Sequence, residues 1–255
     1  MKDMACGTRR IRVVLTGTIA ALLALQVSIW AQGRGGGEPA VPRTPSGMAP
    51  IDLTGYWVSL VTQDWRYRMI AGAKGDFPGI PLNAEGRRVG NEWDPVRDEA
   101  TGEQCRAYGA AGIMRLPTRL HITWEDDATL KVETDFGTQT RRFRFGDPPA
   151  PAPPSWQGTS VASWDLVARG RAGGLKVVTT NMRMGYLRRN GPPYSAKAVL
   201  TEFYDVVREP DGTPYLIFMG IVEDPTYLNG TAMSSAQFKK QADASGWNPT
   251  PCAAG

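Results

Sequence analysis

Alternation of apolar and polar side chains dominates the middle of this chain and restricts it to β structure. In residues 118–125 every second side chain is apolar, namely Leu120, Ile122 and Trp124. A period of two residues is that of a half-buried strand. Residues 130–134 and 138–145 repeat the pattern, and turn-forming residues separate the three segments. We therefore predict a three-stranded antiparallel meander in this region.

Further strands are predicted along the rest of the chain. They cover residues 56–62, 65–70, 159–167, 175–181, 199–208, 215–223 and 233–239. One helix is predicted over residues 84–93, with Asn83 as its N-cap and Asp94-Pro95 as its stop. About ten short strands separated by turns are typical of an all-β, mainly antiparallel barrel or closed meander with one or two short helices. The Pro-rich residues 148–154 are interpreted as a crossover inside one domain, because neither half of the chain has enough strands to close a sheet.

The first 31 residues have the order of a secretory signal peptide. Residues 8–12, three of which are arginines, precede an apolar stretch that begins at Val13 and ends at Ala31. A retained membrane anchor is the alternative, because the apolar stretch approaches spanning length, although four polar residues dilute it. The pair Arg9-Arg10 keeps a twin-arginine export route open. We expect a periplasmic or secreted protein with no integral membrane span after signal removal.

Charge and composition narrow the possible partners. Residues 1–31 hold four of the 29 basic side chains and one of the 25 acidic ones, so the body of the chain is nearly neutral. A nearly neutral body lacks the surplus of positive charge that general binding to nucleic acids requires, so no nucleic-acid partner is predicted. Residues 32–50 are a Gly/Pro-rich linker with little to bury, and residues 51–255 are predicted to form a single β-barrel-like domain.

Cysteine usage agrees with export. Loss of Cys6 with the signal leaves Cys105 and Cys252, and we predict a disulfide between them that ties the C-terminal tail to the body. Two unpaired thiols are the alternative. The chain has one His and no Cys cluster, so no metal site is predicted. It also has no phosphate loop, nucleophile elbow or nucleotide fingerprint, and no cofactor is predicted.

Two local motifs carry resemblances to known proteins. The segment Asp52-Leu53-Thr54-Gly55-Tyr56-Trp57 contains a Gly-x-Trp entry that resembles the start of lipocalin-like barrels, where the Trp plugs one end. From about Cys105 to Tyr227 the chain resembles a set of exported bacterial β-rich proteins without an assigned activity. The matching pieces are Trp156-Gln157-Gly158-Thr159-Ser160, Trp164, Leu175 to Thr180, Asn190 to Ser195 and Leu200-Thr201-Glu202. Residues 169–174 depart from the tight acidic turn of such proteins. The resemblance implies export and β structure and transfers no catalytic residue.

The residues that could carry chemistry are few. His121 is the only His and could act as a general base. Strand alternation places it on the polar face, outside the barrel and solvated; a polar lumen would instead gather His121, Glu125, Arg142 and Arg144 inside. Glu202 lies on an apolar strand face beside Tyr204, as a general acid or as an ion-paired residue.

The sequence leaves three functions open. The first is an exported barrel that binds a small, largely apolar ligand in its interior. Its candidate ligand-binding residues are Trp57, Trp65, Arg66, Arg142 and Arg144. The alternative is a cofactor-free hydro-lyase, isomerase or hydrolase with a polar barrel pocket, for which His121, Glu202 and Tyr204 are the catalytic candidates. An interaction or envelope-structural protein is the third. A shared enclosed pocket for His121 and Glu202 would favour the enzyme.

Overall fold

A closed barrel of nine strands forms the centre of the protein. The computed structural model describes residues 43–62, 64–167 and 172–254. The barrel strands are β1 (Gly55–Leu60), β2 (Arg119–Asp126), β3 (Thr129–Thr134), β4 (Thr140–Phe145), β5 (Thr159–Val167), β6 (Ala172–Thr180), β9 (Val199–Arg208), β10 (Pro214–Glu223) and β11 (Ala232–Lys240). A separate two-stranded sheet pairs β7 (Gly185–Tyr186) with β8 (Pro193–Tyr194). The predicted all-β barrel is confirmed.

The helices are short. Within the described residues they are α1 (Trp65–Met69), α2 (Ala84–Asn91), α3 (Pro95–Ala100) and α4 (Ala110–Ile113), with a 3-10 turn at Arg106–Tyr108. No helix among these residues has the length and apolar character needed to cross a membrane. The predicted signal peptide and residues 32–42 of the predicted linker lie outside the described residues, as do residues 168–171 of the β5–β6 hairpin.

An odd number of strands imposes one parallel pair on the barrel. Strict alternation of direction around a closed ring needs an even number of strands, so nine strands require two parallel neighbours. These are β4 and β5, joined by three residue pairs that run from Phe143↔Ser160 to Phe145↔Ala162. The Pro-rich residues 148–154 lie in the connection between these two strands and carry the chain back along the outside of the barrel.

The two ends of the barrel differ. At the upper end, where β1 ends and β2 begins, the long β1–β2 and β6–β9 connections pack on the barrel through apolar side chains. These include Phe77, Ile80, Leu82, Ile113, Met114, Tyr186 and Leu187. At the lower end the chain enters β1 past Ile51 and the buried Leu53. The Trp164 indole on β5 donates to the Pro45 carbonyl at 2.8 Å, which fixes the incoming segment to this end.

The middle of the barrel is filled by side chains. Alternate residues of the strands point inward and join one cluster, to which the barrel strands contribute the large side chains of Trp57, Phe143, Tyr204, Phe218 and Phe238. All five are at most 2% exposed. Burial of side chains of this size is a main favourable contribution to folding, at about 1.5–3 kcal/mol each.

The local predictions for helices had mixed outcomes. The helix predicted over residues 84–93 is α2, and the Asn83 side chain caps it by accepting from the Gly86 amide at 2.8 Å. The strand predicted over residues 65–70 is wrong, because Trp65–Met69 is α1. In the helical turn Arg68 is buried and donates to the carbonyls of Leu60 and Arg115. These contacts from outside the segment outweigh its strand-like alternation.

The C-terminal tail is bound along the outside of the barrel. This strap, residues 241–254, begins where the Gln241 amide donates to the Tyr56 carbonyl. Near its end the Thr250 amide donates to the carbonyl of Asp135. The predicted disulfide between Cys105 and Cys252 is confirmed and fastens the strap at the upper end.

Candidate functional site

A cleft opens in the barrel wall at the lower end, where β6 and β9 diverge. The two strands pair from Thr179↔Leu200 to Leu175↔Tyr204. Below that point residues 172–174 remain paired only with β5, and residues 205–208 only with β10. Gly173 and Gly174 line the opening where the strands part. The resulting cavity has a volume of about 660 Å³, and we call it the lower cleft.

The walls of the lower cleft are mainly apolar. Leu175, Tyr204 and Val206 face it from the lumen side of the strands, and Phe203, Ile217 and Met219 from the outer side. Pro50 and Ile51 of the incoming segment complete the lining. Small-molecule sites have volumes of about 300–1,000 Å³ and mostly apolar walls with a few polar groups. The lower cleft has the size and lining of such a site.

Two carboxylates stand at the rim of the lower cleft. Asp165 on β5 and Asp205 on β9 are exposed and belong to its lining. Neither makes an ion pair with a basic side chain in the part of the chain that the structure describes. The rim therefore carries negative charge above an apolar floor.

A second polar feature lies inside the barrel above the cleft. Arg141 on β4 and Glu202 on β9 form a bidentate salt bridge with N···O distances of 2.7 and 2.6 Å. The Tyr204 hydroxyl donates to Glu202 Oε1 at 3.0 Å, and Arg141 Nη2 donates to Thr179 Oγ1 at 3.2 Å. Each of these side chains is at most 2% exposed. Glu202 and Tyr204, two of the predicted catalytic candidates, thus lie together in the lumen.

The buried surroundings shift the pKa values of Arg141 and Tyr204. Burial alone would lower the pKa of Arg141, but the charge of Glu202 raises it above its ordinary value. Burial and the neighbouring Glu202 raise the pKa of Tyr204 well above its ordinary value. Arg141 therefore stays charged and Tyr204 stays protonated at neutral pH. Glu202 accepts hydrogen bonds from three donors and is the counterion of Arg141.

Comparison with known proteins gives no relative. No protein-family model, curated protein or solved structure matches this chain. Function is therefore inferred from the side chains and cavities themselves.

His121 lies on the other side of the barrel wall. It points outward from β2, stacks on the Tyr56 ring at 4.2 Å between centroids, and meets the edge of Trp247 in the strap. Its Nδ1 lies 3.2 Å from Glu133 Oε2. The outward position agrees with strand alternation. His121 and Glu202 share no pocket, so the arrangement that would favour the enzyme is absent for this pair.

The predicted aromatic ligand residues are separated. Trp57 is 0% exposed inside the barrel, and its indole donates to the Leu53 carbonyl at 2.9 Å. Trp65 and Arg66 lie on α1 at the upper end, where Trp65 is 61% exposed and the Arg66 guanidinium lies over the Tyr67 ring. None of the three lines the lower cleft.

Arg142 and Arg144 lie together on the outer face of β4. Both line a groove between β4 and the Pro-rich crossover, with a volume of about 520 Å³. Arg142 is held by Glu125 through hydrogen bonds of 2.7 and 2.9 Å. The inward face of β4 carries Arg141 and Phe143, so the alternative of a polar lumen that gathers Arg142 and Arg144 with His121 does not hold.

Sequence reasoning missed Arg141 and the residues of the lower cleft. A signal for Arg141 was present, since alternation placed it on the same face as Phe143, which implied a charge inside the barrel. No local signal marked the cleft, because it depends on where pairing between β6 and β9 stops. Among the described residues, no group of three or more His, Cys, Asp or Glu side chains is placed to hold a metal ion.

Proposed function

We propose that this protein is exported and binds a small, largely apolar molecule in the lower cleft. The observation that carries the proposal is a cavity of about 660 Å³ with apolar walls that reach the lumen at Leu175 and Tyr204. The sequence pattern of a signal peptide and the Cys105–Cys252 disulfide support export.

The position of the ligand follows from the packing of the barrel. The large side chains in the middle of the lumen leave it filled, so a ligand has room at the lower end and not at the centre. Entry requires no opening of the barrel, because the lower cleft already reaches the outer surface between β6 and β9. The site thus differs from that of a barrel that encloses its ligand completely.

The rim carboxylates restrict the ligand further. Asp165 and Asp205 place two negative charges beside the opening, and like charges repel an anionic ligand. A neutral molecule, or one with a positively charged end, is therefore favoured over a fatty acid. An enzymatic role for this cleft has no specific observation in its favour.

A fluorescence experiment tests this function. The neutral apolar probe N-phenyl-1-naphthylamine should bind the wild-type protein with an increase in its emission. In Ile217→Trp the larger side chain occupies part of the cleft, and we expect affinity to fall by about tenfold or more. The matched control is Ile221→Trp, on the same outer face of β10 but outside the cleft lining, which should change affinity by less than about twofold.

Two results of the fluorescence experiment would overturn the proposal. If the probe does not bind, or if Ile217→Trp binds it as tightly as the wild type, the lower cleft is not a ligand site. Native mass spectrometry of the exported protein, with and without denaturation, provides the second measurement. A mass that is lost on denaturation from the wild type but is not carried by Ile217→Trp would support the proposal.

A further inference from the structure

A small pocket with two arginines lies at the upper end of the barrel. Its volume is about 30 Å³, enough for one or two water molecules or one carboxylate group. Arg115, which follows α4, and Arg188, in the β7–β8 turn, supply the charge. The Ser234 hydroxyl on β11 is the other polar side chain, and apolar groups such as Ile80, Leu187 and Val222 form the rest of the wall. We call this the upper pocket.

Arg188 is short of partners in this pocket. Its Nη1 atom is buried and has no hydrogen-bond partner among the residues that the structure describes. Its guanidinium lies over the Tyr67 ring at 5.1 Å and forms no ion pair with any carboxylate of the described residues. Burial and the nearby Arg115 lower the pKa of Arg188, while the charges of Asp64 and Asp76 raise it only in part.

Positive charge exceeds negative charge around the upper pocket. Arg115 has one carboxylate partner, Asp64, at 3.1 Å, and that side chain is 53% exposed. The buried Arg68 lies in the same region. It donates hydrogen bonds to two carbonyls and to the Ser59 hydroxyl, and it pairs with no carboxylate of the described residues. The buried Nη1 group of Arg188 lacks an acceptor, which is costly, and an anion that accepts its hydrogen bonds removes the cost.

We propose that the upper pocket binds the carboxylate of a short-chain organic acid. A guanidinium and a carboxylate match in planar geometry, and Arg115 and Arg188 supply the N–H donors. The carboxylate occupies the pocket itself, and a short alkyl group on the same molecule extends towards the exposed Met233 at its edge. A phosphate, with oxygens on all sides, would place some of them against Ile80, Leu187 or Val222. The site is separate from the lower cleft and does not rest on the function proposed for it.

Butyrate is the probe for this proposal. Calorimetric titration of the wild-type protein with sodium butyrate should show binding, whereas butyramide, which has nearly the same shape and no charge, should not bind. In Arg188→Gln we expect butyrate affinity to fall by about tenfold or more. The matched control is Arg189→Gln, since Arg189 donates to the Met69 carbonyl and does not line the pocket. Its affinity should stay within about twofold of the wild type.

Two further measurements keep the test decisive. Arg188→Lys retains the charge without the planar fork and should show an intermediate affinity for butyrate, which tests the proposal if Arg188→Gln fails to fold.

Chloride and phosphate titrations at equal ionic strength test the selectivity of the upper pocket. Equal binding of butyrate and butyramide, no effect of either Arg188 variant, or binding of chloride or phosphate as strong as that of butyrate would each overturn the proposal. Ile217→Trp should leave butyrate binding unchanged, which separates this site from the lower cleft.

Discussion

Arg141 and Arg142 are neighbours in β4 and form salt bridges of similar geometry, one buried in the barrel and one exposed to solvent. Arg141 pairs with Glu202 inside the barrel, and Arg142 pairs with Glu125 on its surface. A buried pair gains from the low dielectric but leaves a costly charge behind when one partner is removed. An exposed pair is solvated in either case. The same chemistry therefore has unequal consequences at these adjacent positions.

Glutamine substitutions test this difference. Glu202→Gln leaves Arg141 charged and without its counterion, and we expect a loss of about 3–5 kcal/mol in the free energy of unfolding. Glu125→Gln should leave the urea midpoint close to that of the wild type. Urea unfolding followed by tryptophan fluorescence measures both. Equal midpoints for the two variants would show that the lumen network contributes no more to stability than the surface pair. The double variant Arg141→Met/Glu202→Leu should recover part of the loss.

At the scale of the strands, Gly174 controls how closely β6 approaches β9. A Cβ atom at this position would lie 2.8 Å from the carbonyl oxygen of Tyr204, and backbone cannot move aside as a flexible side chain can. We expect Gly174→Ala to lower the free energy of unfolding by about 1–3 kcal/mol. Gly230→Ala is the matched control, because an added Cβ there meets nothing within 4 Å. Thermal unfolding of both variants is the measurement; equal melting temperatures would contradict the close approach.

The strands could be predicted because side chains alternate between the apolar inner face and the more polar outer face of the barrel wall. The bounds predicted for residues 159–167 and 199–208 are those of β5 and β9. Trp65–Met69 shows where local pattern fails, since contacts of Arg68 with distant carbonyls select the helix. The lower cleft could not be predicted from local sequence patterns either, because it also depends on contacts between distant segments. It depends on register between β6 and β9, which are separated in the chain by the β7–β8 insertion.

At the scale of the whole molecule, the disulfide joins residues that are 147 positions apart. A cross-link over so long a loop removes many conformations from the unfolded chain, and we expect its loss to cost about 4–5 kcal/mol. Denaturant unfolding of Cys105→Ser/Cys252→Ser against the oxidised wild type measures this cost. A reducing agent should shift the wild type to the same midpoint and leave the double variant unchanged. A wild-type midpoint that does not respond to the reducing agent would mean that the disulfide adds no stability.

The same disulfide also sets how the molecule responds to mechanical force. The covalent ring from Cys105 to Cys252 contains eight of the nine barrel strands and leaves out β1, which lies between β2 and β11. Tension applied at the N-terminal side therefore reaches β1 first, and only hydrogen bonds and the packing of Trp57 resist its removal. Once β1 is extracted, the length released is limited by the closed ring. In a single-molecule pulling experiment the oxidised protein should extend by little more than the chain that precedes Cys105, and the reduced protein by nearly its full length.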